Sequence, residues 1–290
     1  MKKISTKVSF TVLWRREMES LLIKQRISHG VIAVCTCVLL LTSCQIYKGT
    51  STQPLITERH ECLLKHFMHM TNEIYPLTVS IDAPVDGPQL LMDSVSVFLN
   101  ETLYAYFDNG EDCRIPYESV FTGDVKQLVE HYQKAYASFF QVDTTEIHEF
   151  ETDCLEVNLI AQTDNYVTYE VNHIFYGEGI ETTTEWSTFV KSDGHRLTEV
   201  ISEYEMLRFY HEHPELRNDD VWENILYHIH HGDSLYGVVC SVGLLDDIVA
   251  HQYVYAAGIY EDVKYPTQAI APYLSKEVQK LIKRKNHSSK

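Results

Sequence analysis

Apolar residues recur along this chain with two distinct periods. Leu77, Val79 and Ile81 alternate with Thr78, Ser80 and Asp82, the period-two pattern of a half-buried strand, which Pro84, Gly87 and Pro88 end. Leu91, Val95, Phe98, Leu99 and Leu103 then fall at helical spacing and predict a helix from Gln89 to about Phe107. Asp124, followed three residues later by Gln127, is a capping pair. It opens a second helix with the stripe Val125, Leu128, Tyr132, Tyr136 and Phe139. Upstream, residues 58–70 read as a short helix.

The middle of the chain changes character. Val167, Tyr169, Val171, His173 and Phe175 share one strand face, and Tyr166, Thr168, Glu170 and Asn172 share the other. Gly177 and Gly179 mark a bend, and a strand over 184–191 runs into the turn Ser192, Asp193, Gly194. This is antiparallel meander material. A helical pair follows at 199–210 and 219–230, broken at Pro214, before strand character returns at 236–242 and 248–255. Pro272 precedes a last helix that turns Val278, Leu281 and Ile282 inward. It ends on Lys283, Arg284 and Lys285, which suit the negative end of the helix dipole. Strands and helices without strict βαβ alternation predict the α+β class. We expect antiparallel sheets with packed helices in two consecutive subdomains, 72–160 and 161–285, with a tail at 286–290.

The first 43 residues belong to a different pattern. Lys24 and Arg26 precede an uninterrupted small and apolar run over 31–41, and Leu41, Thr42 and Ser43 lead into Cys44. Charge, apolar stretch and small residues in that order read as a secretory signal. The run is about half of the roughly 20 residues that a spanning helix needs. Leu-Thr-Ser-Cys resembles the bacterial lipoprotein box, in which the cysteine is lipidated and becomes the new N-terminus. We therefore expect a signal peptide over 1–43, cleavage between Ser43 and Cys44, lipidation of Cys44 and a tether over 44–71. Residues 1–17 lengthen the n-region beyond what export needs, so Met18 is the expected start of translation. The expected location is the bacterial cell envelope, with the lipid as the contact to membrane.

Removing the leader sharpens the charge. Of 24 basic and 41 acidic residues, seven and two lie in 1–43, so the remainder carries 17 against 39 and a net charge of −22. A nucleic-acid partner is not expected of such a chain, since phosphate neutralisation needs clustered Lys and Arg. A basic protein would be steered towards it, and the same charge also serves solubility alone. With 44% hydrophobic and 22% charged residues the chain is not disordered in bulk. Cys62, Cys113, Cys154 and Cys240 allow two disulfides or buried thiols, and their spacing matches no CxxC motif.

Motifs of catalysis are absent: there is no GxSxG, P-loop, GxGxxG or HExxH. His211 and His213, and the cluster His228, His230 and His231, lack specified further ligands, and no metal is expected there. Glu178, Glu181 and Glu185 lie around a glycine bend, but acidic residues are too frequent in this chain for that proximity to mean a catalytic pair. No local context activates Cys154 or Cys240. No catalytic residue and no cofactor is expected. The more distinctive group is Tyr253, Tyr255, Tyr260 and Tyr265, with Tyr273 nearby. These tyrosines either fill the core face of a strand or form a partner-binding surface, where tyrosine is favoured.

Several short segments carry a family likeness. They are Tyr176-Gly177-Glu178-Gly179, Trp186-Ser187-Thr188-Phe189-Val190, and Ser192-Asp193-Gly194 with Leu197-Thr198. Downstream come Tyr255-Ala256-Ala257-Gly258, Val263-Lys264-Tyr265-Pro266 and Ala271-Pro272-Tyr273-Leu274. Together they resemble the extracytoplasmic domain of unknown function found in RsiV, an anti-sigma factor and lysozyme receptor, and beside the catalytic domain of the peptidoglycan deacetylase PdaC. Residues 75–107 are similar to the companion domain that precedes it there, so the likeness spans 72–285. Where that family has a Gly-Gly-Ala-His bend, this chain has Tyr-Gly-Glu-Gly. The resemblance implies the fold, an envelope location and a non-catalytic role. Anchor, acidic body and likeness together lead us to expect a partner, a basic protein such as lysozyme or a cell-wall glycan; the alternative is a structural or assembly lipoprotein of the envelope, and the third reading an envelope hydrolase or metal-binding protein.

Overall fold

The structure, a computed structural model, describes residues 53–68, 73–107, 115–121, 123–140, 153–176, 180–231, 239–254 and 259–285. The expected signal, the Ser43–Cys44 cleavage site, the lipidation site and the 286–290 tail lie outside them. Among the described residues no helix is long and apolar enough to cross a membrane.

The chain has an α+β fold built on two sheets. Strands β1 (Ile56–Met68), β2 (Glu73–Asp86), β3 (Asp153–Gln162), β4 (Tyr166–Tyr176) and β5 (Ile180–Val190) form one sheet in that order. All neighbours are antiparallel except β2 and β3, which run parallel over five residue pairs from Leu77–Asp153 to Ile81–Val157. A parallel pair needs a long crossover. Here helices α1 (Gln89–Phe107) and α2 (Val125–Phe140) supply it. Residues 56–68 are therefore a strand, not the helix expected over 58–70. Thirteen residue pairs with β2 outweigh the local helical spacing of the apolar residues.

The expected pleat of β2 is the one observed. Leu77, Val79, Ile81 and Ala83 are buried, and with Leu155, Val157, Val167, Tyr169 and Phe189 they make the apolar face of the sheet. Leu91, Val95, Phe98, Leu99 and Leu103 of α1 cover that face together with Val125, Leu128 and Tyr132 of α2. Burying each such side chain stabilises the fold by about 1.5–3 kcal/mol. Asp124 caps α2 by accepting the Gln127 N–H at 3.1 Å. One polar side chain, Asn100, is buried on α1 and fully used. It donates to Glu118 O and Tyr132 Oη at 3.0 Å each and accepts the Val120 N–H at 3.2 Å, which fastens the segment before α2.

The second core lies between helices α3 (Glu203–Glu212), α4 (Asp219–His231), α5 (Thr267–Ile270) and α6 (Lys276–Lys285) and an antiparallel sheet, β6 (Val239–Leu244), β7 (Ile248–Val254) and β8 (Ile259–Tyr265). Phe209 is fully buried there, with its ring 5.1 Å from Tyr265 and 5.4 Å from Tyr273. Tyr166 and Val190, from the ends of β4 and β5, join this second core. Hydrogen bonds also tie the two sheets: Tyr166 Oη donates to Leu245 O at 2.7 Å, and Thr168 Oγ1 to Leu244 O at 2.5 Å.

The turn after β5 is set by Gly194, whose φ is +75° and whose N–H donates to Val190 O at 2.8 Å. A side chain there would bring Cβ within 2.3 Å of Leu90 O. Residues 195–197 then run back along β5, with Val190 N–H donating to His195 O at 2.9 Å and Leu197 N–H to Thr188 O at 2.8 Å.

Candidate functional site

The pleat of β8 separates the tyrosines. Tyr260 and Asp262 project from one face, whereas Tyr265 projects into the second core and is 1% exposed. Its hydroxyl lies 2.8 Å from that of Tyr210, and the Gln252 side-chain amide donates to both hydroxyls. Burial, only partly offset by hydrogen bonds from Tyr210 and Gln252, pushes the Tyr265 hydroxyl up to about 12. Tyr265 is a core residue and not a surface one, because five residues along a strand reverse the face that Tyr260 occupies. Tyr273 is likewise buried. Tyr255 lies outside the described residues.

Tyr253 and Tyr260 are brought together. They are direct cross-strand partners with ring centroids 5.0 Å apart. Tyr260, 40% exposed, also stacks on His251 at 5.1 Å and an interplanar angle of 3°. His251 is almost wholly buried, and its Nδ1 lies 2.7 Å from Asp262 Oδ1. The edge of the His251 ring system meets Trp186 of β5, 6.3 Å away and perpendicular. Trp186 is the residue that sequence reasoning missed as a functional one.

The placement of Trp186 is determined from three sides. Its backbone N–H donates to Ser241 Oγ at 3.1 Å, linking β5 to β6. Its indole covers Gly243, where a Cβ would come within 2.7 Å of the ring. Its indole N–H donates to Glu170 Oε2 at 3.0 Å, across the β4–β5 register. The other Glu170 oxygen accepts from Asn172 at 2.8 Å, and Asn172 accepts from Thr184 at 2.9 Å. A carboxylate with two side-chain donors is thus held against the indole on the sheet face opposite α1 and α2.

Ser241, His251 and Asp262 are successive cross-strand partners on one face of the small sheet. Ser241 Oγ accepts from Trp186, and among the described residues His251 Nε2 has no hydrogen-bond partner. The row therefore lacks the serine–imidazole hydrogen bond of an activated nucleophile.

Beside Trp186 a cavity of about 200 Å³ is lined by residues of β5, β6 and the stretch 197–206. Thr188, Met206 and Val239 form its buried walls, and Glu199 is on its solvent side. Glu203 also lines it, and no Lys, Arg or His does among the described residues. A second cavity of about 320 Å³ lies between α1 and the β4–β5 edge, with Glu101, Glu185, His173 and Arg196 mixing the two signs of charge.

The other sequence candidates are dispersed. Cys62 and Cys154 lie on β1 and β3, on either side of β2, so about 10 Å separates them, too far for a shared disulfide. Burial raises both thiols above their ordinary range. Cys113 and the Cys240 side chain lie outside the described residues, as do Glu178 and the Glu181 side chain. His213 pairs with Glu215 at 3.2 Å, and His231 Nδ1 meets Tyr227 O at 2.8 Å. Among the described residues no three His, Cys, Asp or Glu side chains converge as a metal site.

No protein-family model matches the chain, and no curated protein does. Solved structures similar to it include two from a family named for a domain of unknown function, DUF3298. One, from Bacteroides fragilis, is 14% identical with a TM-score of 0.48, over 80% of this chain and 99% of that one. The other, from Pseudomonas aeruginosa, is 10% identical with a TM-score of 0.46, over 78% of this chain and 96% of that one.

Proposed function

We propose that this chain is a lipid-anchored, non-catalytic protein of the bacterial envelope that captures a basic protein through the face around Trp186 and Tyr260. The observation that carries this reading is the meeting of aromatic rings and carboxylates on that face. Tyr260 and Trp186 lie against His251 and Tyr253 against Tyr260, with Asp262 and Glu170 beside them and Lys264 as the cation on the same face of β8. Aromatic anchors within an acidic surround are what a cationic partner surface needs, and a net charge of −22 beyond residue 43 steers such a partner in. The lipid on Cys44 keeps the body at the membrane.

The test is a titration of the full chain, purified in mild detergent, with lysozyme across ionic strengths. Saturable binding near micromolar, about 8 kcal/mol, that weakens with salt supports the reading. Absence of binding at low salt overturns it, and binding of soluble peptidoglycan fragments instead would make glycan the partner. Cys44→Ala should abolish incorporation of radiolabelled palmitate; retained label would rule out Cys44 as the site of the anchor.

A further inference from the structure

We propose that the cavity between β5, residues 197–206 and β6 is the receptor for one arginine or lysine side chain of that basic partner. The inference rests on the partner reading above and names the point at which the partner is held. A cavity of about 200 Å³ is smaller than the roughly 300–1,000 Å³ typical of sites for free small molecules. It suits a single long side chain.

The walls are ordered as such a side chain is. Met206, Val239, Leu197 and Ile201 are the buried apolar part of the lining. They match a methylene stem, which basic residues bury while their head stays near water. Glu199 is exposed and Glu203 half-buried, so both carboxylates lie towards the solvent side, where the head of the guest would be. The N-terminus of α3 is close by and carries a partial positive charge of about half a unit. Ser202 caps that end by accepting the Glu205 N–H at 3.3 Å, and Glu199, exposed on the cavity lining, sets a full negative charge against the half-charge of the dipole.

Trp186 makes the site more than an acidic dent. Its indole forms one wall, and an aromatic wall favours a cationic guest, arginine most of all. The bonds to Glu170 and Ser241 hold that wall before any partner arrives, so little ordering is left for binding to supply.

The test uses the full chain in detergent and a probe independent of any protein partner. N-acetylarginine amide is titrated while the indole N–H resonance of Trp186 is followed, with the neutral N-acetylcitrulline amide as isosteric control. The expected result is saturable millimolar binding of the arginine probe, at least tenfold weaker binding of citrulline, and loss of the response in Glu199→Gln/Glu203→Gln. Asp219→Asn/Glu223→Gln, which removes two carboxylates from α4, should change the affinity less than twofold. Equal binding of the two probes, no binding, or equal loss in both double variants overturns the proposal. Lysozyme binding by Glu199→Gln/Glu203→Gln separates the two readings. Wild-type affinity there leaves the partner reading intact and removes the cavity from it, whereas failure of the wild type to bind lysozyme removes the partner and leaves the arginine result to stand or fall alone.

Discussion

Glu170 and Trp186 face each other across β4 and β5, and the carboxylate accepts the indole N–H at 3.0 Å. This bond determines which way the indole lies, and with it the shape of the cavity and the packing over Gly243. Trp186→Phe keeps a ring but removes the donor. In a double-mutant cycle with Glu170→Gln, urea unfolding should give a coupling of about 1.5 kcal/mol. Additive effects would mean that the pair contributes no orienting energy.

Asn100 should be intolerant of substitution. It is 1% exposed, and its three hydrogen bonds serve Glu118, Val120 and Tyr132. Asn100→Ala leaves the Val120 N–H without its acceptor and opens a void, so a loss of about 2–4 kcal/mol is expected by denaturant unfolding. Asn100→Leu restores volume but not the bonds, and should rescue little.

Gly194 is a second fixed point. At φ +75° a Cβ costs roughly 1–2 kcal/mol in backbone strain. The approach of that Cβ to Leu90 O adds an overpacking penalty of about 1–3 kcal/mol, because backbone gives way less readily than a side chain. Gly194→Ala should therefore lower the thermal midpoint by many degrees, whereas Gly123→Ala, at φ +96° with open space around it, should show the strain without the clash.

The pH dependence of stability should carry a contribution from His195. Its ring nitrogens lie 2.6 Å from Asp193 and 2.7 Å from Glu277, joining the β5 turn to α6. Partial burial pulls the imidazole down, but hydrogen bonding and charge from Asp193 and Glu277 together outweigh it and hold it above the usual histidine range. The stabilisation is fully present below the unfolded value of about 6.5 and is lost as pH rises through the raised folded value. With the side chain 41% exposed, solvent screens the pair and the effect stays well under about 1 kcal/mol. The stability difference between wild type and His195→Ala should be larger at pH 5.5 than at pH 8.5; the reverse order would contradict this account.

Much of this fold is legible in the sequence, because burial follows period. The pleat of β2, the stripes of α1 and α2 and the Asp124 cap all follow from local spacing. Strand β1 is not legible: Leu63 is 73% exposed and the pairing with β2 supplies what its own pattern lacks. Strand β8 is hidden because Glu261 and Asp262 interrupt the apolar alternation, while Ile259 and Tyr260 remain exposed. The same strand explains the tyrosines, since only its pleat reveals that Tyr260 and Tyr265 part company. As for the site, Trp186 stands sixteen residues from Glu170 and far from Ser241, His251 and Gly243. Their meeting depends on strand register and on the packing of one sheet against another, neither of which any local window contains.

The parallel seam between β2 and β3 has a kinetic consequence. The β1–β2 hairpin and the β3–β4–β5 meander each bring together residues close in sequence, so they form with little loop-closure cost. The seam joins Leu77 to Asp153 only after α1 and α2 have been ordered between them. Non-local parallel pairing is slow for that reason. The five pairs of the seam should close last, so during biogenesis the chain passes through a state in which two preformed halves present unmatched strand edges. A chaperone that covers strand edges would protect it most at that stage.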